Sequence, residues 1–435
     1  MILHIDPLRT FSTKALLPAD PFVAQAALLR AALAHGTSHI GGLPDDPDIA
    51  VMLDALRALG CEVERSGDSA TMTPPAEGLR RPAHDLYLDN ASYALRLLAG
   101  LCAAQPWPAT LMAQPPLLKR NVERALEPMR LLGANIRAID RGTPPVYSTP
   151  GTILSGGRID LPIPNAYVKG GLLALAAAAR TPFTMTEPSP SRDAAERLLG
   201  CTIEQGERYT VHSTTAPLRP LHLALPADTA LADSVAALSI LRPGSNSTVH
   251  RRLGTPLECR ALELIARVGG TIRERDDPWN GVDLPTQTLD IGSSHAAQVR
   301  FTPDELLGLQ SELPLLAVVA AASGGTLEAR GMIDLRQQRC DRIAALVDAL
   351  AAYGAETEEL DDGLIVRGQE SLHGDVELSA YADPGIAPAL MLLAALADAP
   401  STLHDVPDDF RTRTLAQLLG ARVESSTVPS PSTTS

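Results

Sequence analysis

The cationic chemistry available to this chain is arginine chemistry. Among 37 basic residues only Lys14, Lys119 and Lys169 are lysines, and none follows position 169. A guanidinium is a planar fork that grips carboxylate or phosphate through two parallel hydrogen bonds, whereas lysine offers a point charge. An anion site built from the C-terminal half would therefore have to rely on forks. Codon bias toward Arg and Ala accounts for part of the imbalance without changing that consequence. The five cysteines, Cys61, Cys102, Cys201, Cys259 and Cys340, are odd in number and show no CxxC spacing. They read as reduced thiols and not as a metal or disulfide framework.

The elements that must position these side chains recur six times. A helix-like run of Leu, Ala and Arg ends on a glycine and passes into a strand-like run at LDALRALGCEVE, LEPMRLLGANIR, AERLLGCTIE, LELIARVGGTIRE, LVDALAAYGAETEE and LAQLLGARVE. The glycines are Gly60, Gly133, Gly200, Gly269, Gly354 and Gly420, spaced by 66 to 85 residues. A glycine just past a helix takes the left-handed conformation that closes the last turn, where a side chain would be strained. Six such stops at a nearly fixed period predict a repeated α/β unit. In phase with them run Ala/Leu-rich stretches such as LLALAAAARTPFTMTEP and LLAVVAAASGGTLEARGM. Each unit thus pairs one helix apolar all round, expected inside, with one amphipathic helix, expected outside.

At 435 residues the chain exceeds one ordinary core, so six units divide into two domains of three. Aromatic content of 3% argues against base-stacking modules. The net charge of −14 disfavours nucleic acid and anionic membrane as partners. No apolar run is long and charge-free enough to span a bilayer, and the N-terminus MILHIDPLRTF reads as a strand, not a signal peptide. A cytoplasmic protein is expected, and SSTVPSPSTTS (425–435) reads as a disordered tail.

Four segments carry a family resemblance. LYLDNASYALRLLAGLCAAQ (86–105) resembles LxLGNxGTAxRLLxGLLAAQ of the enolpyruvyl transferase family, in its enolpyruvylshikimate-phosphate synthase branch. LLKRNVERALEPMRLLGANI (117–136), TEPSPSRDAAERLLG (186–200) and IDLRQQRCDRIAALVDALAAYGAE (333–356) resemble further motifs in the same order and spacing. The resemblance runs from about residue 16 to 424. It implies an α/β fold of two globular domains, each with three repeats, buried helices inside and sheets outside. One domain would comprise 1–20 with 227–424 and the other 21–226, with chain crossings near 18–22 and 224–230. Helix N-termini would converge on an inter-domain cleft that favours anions. Neither cofactor nor metal is implied. The implied partner is a small anionic ring, shikimate-like and phosphorylated in the family. Nucleic acid and membrane are not expected, and the chain should be a monomer or weak homodimer.

The family joins phosphoenolpyruvate to a hydroxyl of shikimate 3-phosphate, and this sequence departs from most motifs serving that reaction. GDKSxSHRA is ADPFVAQAA (19–27), with Pro21 at the lysine, Phe22 at a serine and Ala26 at the arginine. SAQVKS is NAYVKG (165–170), with Asn165 and Tyr167 for serine and glutamine. Ser311 stands for the catalytic aspartate beside a retained Glu312. A lysine–glutamate pair is Gln338–Arg339, and NDHRxAM is ADPGIAPAL (382–390), which keeps Asp383. Ser92 and Tyr93 replace a glycine and a threonine, and bulky Phe22 and Tyr93 should shrink the polyanion pocket.

Asn90, Arg96, Arg120, Ser191, Arg192 and Arg342 match retained positions. The resemblance thus implies substrate contacts from Asn90, Arg96, Arg120, Asn165, Tyr167, Ser191, Arg192 and Ser311. Glu312 and Asp383 become candidate general bases, with Arg342 stabilising a leaving anion. Asn90 and Asp383 also suit a helix cap and a turn, and Arg96 and Arg342 suit helix surfaces. Three functions stay open: a divergent enzyme doing elimination or dehydration in secondary metabolism, a true carboxyvinyltransferase, and a non-catalytic binding subunit.

Overall fold

Short polar side chains cap six of the twelve α-helices among the described residues. Asp20, Asp46, Asn165, Asp228, Asp341 and Asp409 each accept hydrogen bonds from first-turn N–H groups, which otherwise lack partners. The computed structural model describes residues 1–114, 117, 121–140, 143–153, 156–278, 282–293, 297–369 and 371–424. The expectations for Arg120 and for the tail 425–435 lie outside the described residues.

The helices are α1 (Pro21–Leu33), α2 (Pro47–Ala58), α3 (Ser92–Ala103), α4 (Glu123–Leu131), α5 (Ala166–Ala179), α6 (Ala194–Leu198), α7 (Thr229–Leu241), α8 (Pro256–Ala266), α9 (Leu313–Ala322), α10 (Arg342–Ala352), α11 (Ala387–Leu396) and α12 (Phe410–Leu419). Odd and even members differ as the repeat pattern predicts. α1, α3, α5, α7, α9 and α11 are buried over most of their surface, whereas α2, α8, α10 and α12 bury one face. The six repeat glycines all have positive φ, from 64° at Gly420 to 111° at Gly269. The periodic signal in the sequence is therefore a backbone requirement, met once per unit.

Among the described residues the strands form six small sheets, five of four strands and one of three. They alternate buried and half-exposed positions, as in Thr143–Thr149, so each sheet shields one face of a core. The N-terminal strand Ile2–Ile5 lies between Ser401–His404 and Arg422–Glu424, with Leu3 opposite Leu403 and Val423. The chain's first strand thus completes its last sheet.

The hydrophobic residues form two clusters. One runs from Ala19 to Leu225, joined by Leu253, Val282 and Leu284. The other combines Leu3–Leu17 with Ala227–Leu419. The two strands of chain linking them are bonded to each other. The Asp20 N–H donates to the Pro226 carbonyl at 3.0 Å, the Asp228 N–H donates to the Pro18 carbonyl at 2.8 Å, and Ala19 bridges Ala227 antiparallel. Asp20 and Asp228, the caps of α1 and α7, sit on this paired crossing. Two inner helices therefore start where the chain changes core.

Candidate functional site

The three inner helices of the first cluster carry an aromatic residue at the same place. Phe22, Tyr93 and Tyr167 are each the second residue of α1, α3 and α5. Their rings meet. Phe22 stacks on Tyr93 with centroids 4.0 Å apart and planes 16° from parallel, and Tyr167 stands edge-on to Tyr93 at 5.1 Å. Phe22 and Tyr93 are buried, and Tyr167 is 43% exposed. Asn165 caps α5 by accepting from the Tyr167 and Val168 N–H groups at 3.1 Å each, which fixes the Tyr167 backbone. A Cβ at Gly170 would come within 2.6 Å of the Tyr93 hydroxyl. Gly170 and Tyr93 therefore depend on each other.

Arg192 lies against this cluster, its guanidinium 4.8 Å from the Phe22 ring centre. Its Nη2 donates to Asp20 Oδ2 at 2.5 Å and its Nε to Glu258 Oε1 at 2.7 Å. One arginine thus ties together the crossing, the first core's loop and α8 of the second core. Burial raises the Asp20 carboxyl, but Arg192 and Arg411 outweigh it and hold it below the usual range. Ser191 turns inward. Its Oγ donates to Glu187, which with Glu196 flanks the fully buried Lys169 ammonium at 2.9 and 2.7 Å. Burial pushes Glu196 up to about 7 despite Lys169.

The second core presents carboxylates at the same junction. Asp228 pairs with Arg411 at 2.7 Å, and Asp233 with the buried Arg252 at 2.9 Å. Burial outweighs Arg252 and pushes Asp233 up to about 6. Glu312 precedes α9 and is half-buried by surface area yet densely surrounded by protein. Burial and the neighbouring Glu258 push it up to about 7, partly offset by Arg192. Ser311 beside it is exposed.

Farther along, Arg342 at the start of α10 forms a fork on Asp383. Its Nε lies 3.1 Å from both carboxylate oxygens and its Nη2 lies 2.8 Å from Oδ1. The Gly385 N–H donates to Asp383 Oδ1 at 2.7 Å, and the Cys340 thiol lies 3.6 Å from Oδ2. Burial raises Asp383, but Arg342 outweighs it and holds the carboxyl below its usual range. A carboxylate held this way is a poor base. Arg339 donates to the Ala382 carbonyl at 2.7 Å.

The sequence candidates thus fall into separate groups. Phe22, Tyr93, Tyr167, Arg192 and, through Glu258, Glu312 are contiguous. Arg342 and Asp383 form a closed pair of their own. Arg96 donates to the Ser92 carbonyl and hydroxyl within its own helix and lies 5.8 Å from the Tyr167 ring. Asn90 is half-buried and does not cap α3, whose cap position is Ala91. Sequence reading missed Asp20, Glu258 and Arg411. Asp20 before Pro21 carries a helix-start signal, and Thr255 with Glu258 reads as a capping box. The structure draws Glu258 to Arg192 and leaves the buried Thr255 hydroxyl without a partner. No group of three or more His, Cys, Asp or Glu side chains suited to a metal ion occurs among the described residues. No helix among them is long and apolar enough to cross a membrane.

Comparison with known proteins places this geometry. The family model for EPSP synthase (3-phosphoshikimate 1-carboxyvinyltransferase) matches residues 10–410. A Halorhodospira halophila protein of that name is 32% identical over 398 residues, covering 89% of this chain and 88% of its own length. A Coxiella burnetii protein of the same name is 29% identical over 406 residues, covering 92% of each. EPSP synthase from Acinetobacter baumannii superposes with a TM-score of 0.85 at 26% identity, over 98% of this chain and 100% of that one. The enolpyruvyl transferase NikO from Streptomyces tendae shares the fold, with a TM-score of 0.69 at 19% identity over 97% and 98% of the two chains.

Proposed function

The chain belongs to the EPSP synthase family, and from that membership we propose a divergent cytoplasmic enzyme that binds a shikimate-like or cyclitol ring between its two cores. In this reading it does not use phosphoenolpyruvate and instead carries out an elimination, of the kind found in secondary metabolism. The observation that carries the reading is the state of two of its candidate arginines. Arg192 is spent on Asp20 and Glu258, and Arg342 on Asp383. Holding two polyanions together requires cations that are not already neutralised, because like charges repel strongly in a site shielded from water.

Glu312 is the base of this reading. A carboxyl near 7 is half-ionised at neutral pH and so can both take and return a proton. Its carboxylate removes a proton from a ring carbon, and the C–H electron pair becomes the new double bond. The adjacent C–O bond breaks, and the proton on Glu312 passes to the departing hydroxyl, which leaves as water. Asp383, held ionised by Arg342, serves as that arginine's anchor and not as a second base.

A second reading has its own support. Relatives named 3-phosphoshikimate 1-carboxyvinyltransferase are 29–32% identical over about nine-tenths of the chain. One experiment separates the two. Purified protein is incubated with shikimate 3-phosphate and phosphoenolpyruvate while released phosphate is measured, and the gene is tested for rescue of an aromatic auxotroph lacking the transferase. No phosphate release and no rescue are expected. Rescue would establish the carboxyvinyltransferase.

A further inference from the structure

We propose that the ring bound by this protein carries no phosphate ester, because the Phe22–Tyr93–Tyr167 cluster has replaced an anion-binding pole with an aromatic one. The inference rests on the ring-binding reading above and names the class of ring.

An inner helix N-terminus attracts anions through its free N–H groups and its dipole. Three inner helices of the first core bring their second residues together, and each of those residues is aromatic. The first-turn N–H groups of Phe22 and Val23 are taken by Asp20, and those of Tyr167 and Val168 by Asn165. The Phe22 and Tyr93 rings, stacked at 4.0 Å and buried, fill the volume between helix starts. Arg192, which lies against Phe22, and Lys169, beside Gly170, are each bracketed by two carboxylates of the chain, while Arg96 beside Tyr167 donates to the Ser92 carbonyl and hydroxyl. A phosphate dianion placed here would displace packed rings and face Asp20 and Glu258 in a weakly screened environment.

The replacement is built in. Tyr93 fits only because residue 170 lacks a Cβ, which would otherwise lie 2.6 Å from the hydroxyl and 2.8 Å from the ring. A site losing function by drift would not hold a large residue and its matching glycine on two different helices. Tyr167 is the part left open: nearly half-exposed, edge-on to Tyr93, and backbone-fixed by Asn165. An exposed ring held rigidly offers a face for stacking at low entropic cost. The occupant is thus a partly unsaturated ring that presents a flat face to Tyr167 and carries at most a single carboxylate.

The test is calorimetric titration of the full chain with shikimate and with shikimate 3-phosphate. The wild-type protein should bind shikimate at least about 10-fold more tightly than its phosphate, and Tyr167→Ala should weaken shikimate about 2- to 10-fold. Tyr93→Thr combined with Gly170→Ser should narrow or reverse the preference. Wild-type protein that prefers the 3-phosphate would overturn this inference and leave the ring-binding reading standing. Binding of neither ligand by wild type or Tyr167→Ala would overturn both. The wild-type comparison decides the matter even if the double variant does not fold.

Discussion

Gly385 and Arg342 share one volume. A Cβ at position 385 would lie 2.3 Å from the guanidinium carbon of Arg342. The absence of a side chain lets the fork lie flat against Asp383, whose Oδ1 also accepts the Gly385 N–H. Gly385→Ala should therefore push Arg342 off its carboxylate and leave Asp383 buried with a weakened partner. We expect a loss of about 1–3 kcal/mol, read as a lower urea midpoint. An unchanged midpoint would mean that the pair tolerates displacement.

Arg192 should behave as an internal tie. Asp20 and Glu258 are almost completely buried, and removing their shared cation takes the ion pair from both, leaving Asp20 only the field of Arg411 and its helix-cap bonds. Arg192→Ala should cost about 3 kcal/mol in the ligand-free protein, near the low end for broken buried pairs because the arginine is partly exposed. An arginine that served only to grip ligand would leave the free protein's urea midpoint where it was. Denaturation without ligand separates the two roles.

The fold was readable because its determinants are local and repeated. A glycine after an amphipathic run and an apolar run without polar faces each dictate structure within about ten residues, and the chain states both six times. The junction was less readable because its partners are remote. Nothing near Arg192 in sequence announces Asp20, 172 residues away, or Glu258, 66 residues on. The phrase TPLE at 255–258 points to a capping box, and only tertiary structure shows Glu258 leaving it for Arg192. The aromatic substitutions were visible singly, whereas their convergence needed three helices brought side by side.

Stability should be greater at pH 5 than at pH 8. Glu196 and Asp233, both buried, have carboxyls raised to about 7 and about 6. The folded state then holds more protons than the unfolded state between the ordinary carboxyl range and these values. Stability falls as pH rises through that window and stays lower above it. Asp20 and Asp383 act oppositely, since their depressed carboxyls lose stability only when pH drops below the usual range. Urea midpoints should peak at about pH 4, where that window opens, and Glu196→Gln should flatten the decline toward pH 8. A midpoint that rises steadily from pH 5 to 8 would contradict the assignment.

The last expectation concerns Glu312 and can be read without a known substrate. Its carboxyl is raised to about 7 by burial and by the charge of Glu258, with Arg192 pulling the other way. Carbon-detected NMR of glutamate-labelled protein should show two side chains titrating near neutrality, Glu196 and Glu312, of which one is lost in Glu312→Gln. Glu258→Gln removes the repulsion, so the same resonance should titrate lower. Glu258→Gln also loosens Arg192, whose cation helps to hold Glu312 ionised, and that change works in the opposite direction. Because Arg192 keeps its bond to Asp20, the direct loss of a like charge should dominate and the net shift should be downward. If an elimination assay is then found, its rate should rise with pH through about 7, in step with the NMR titration. A rate profile flat across that range would remove Glu312 from the role of base.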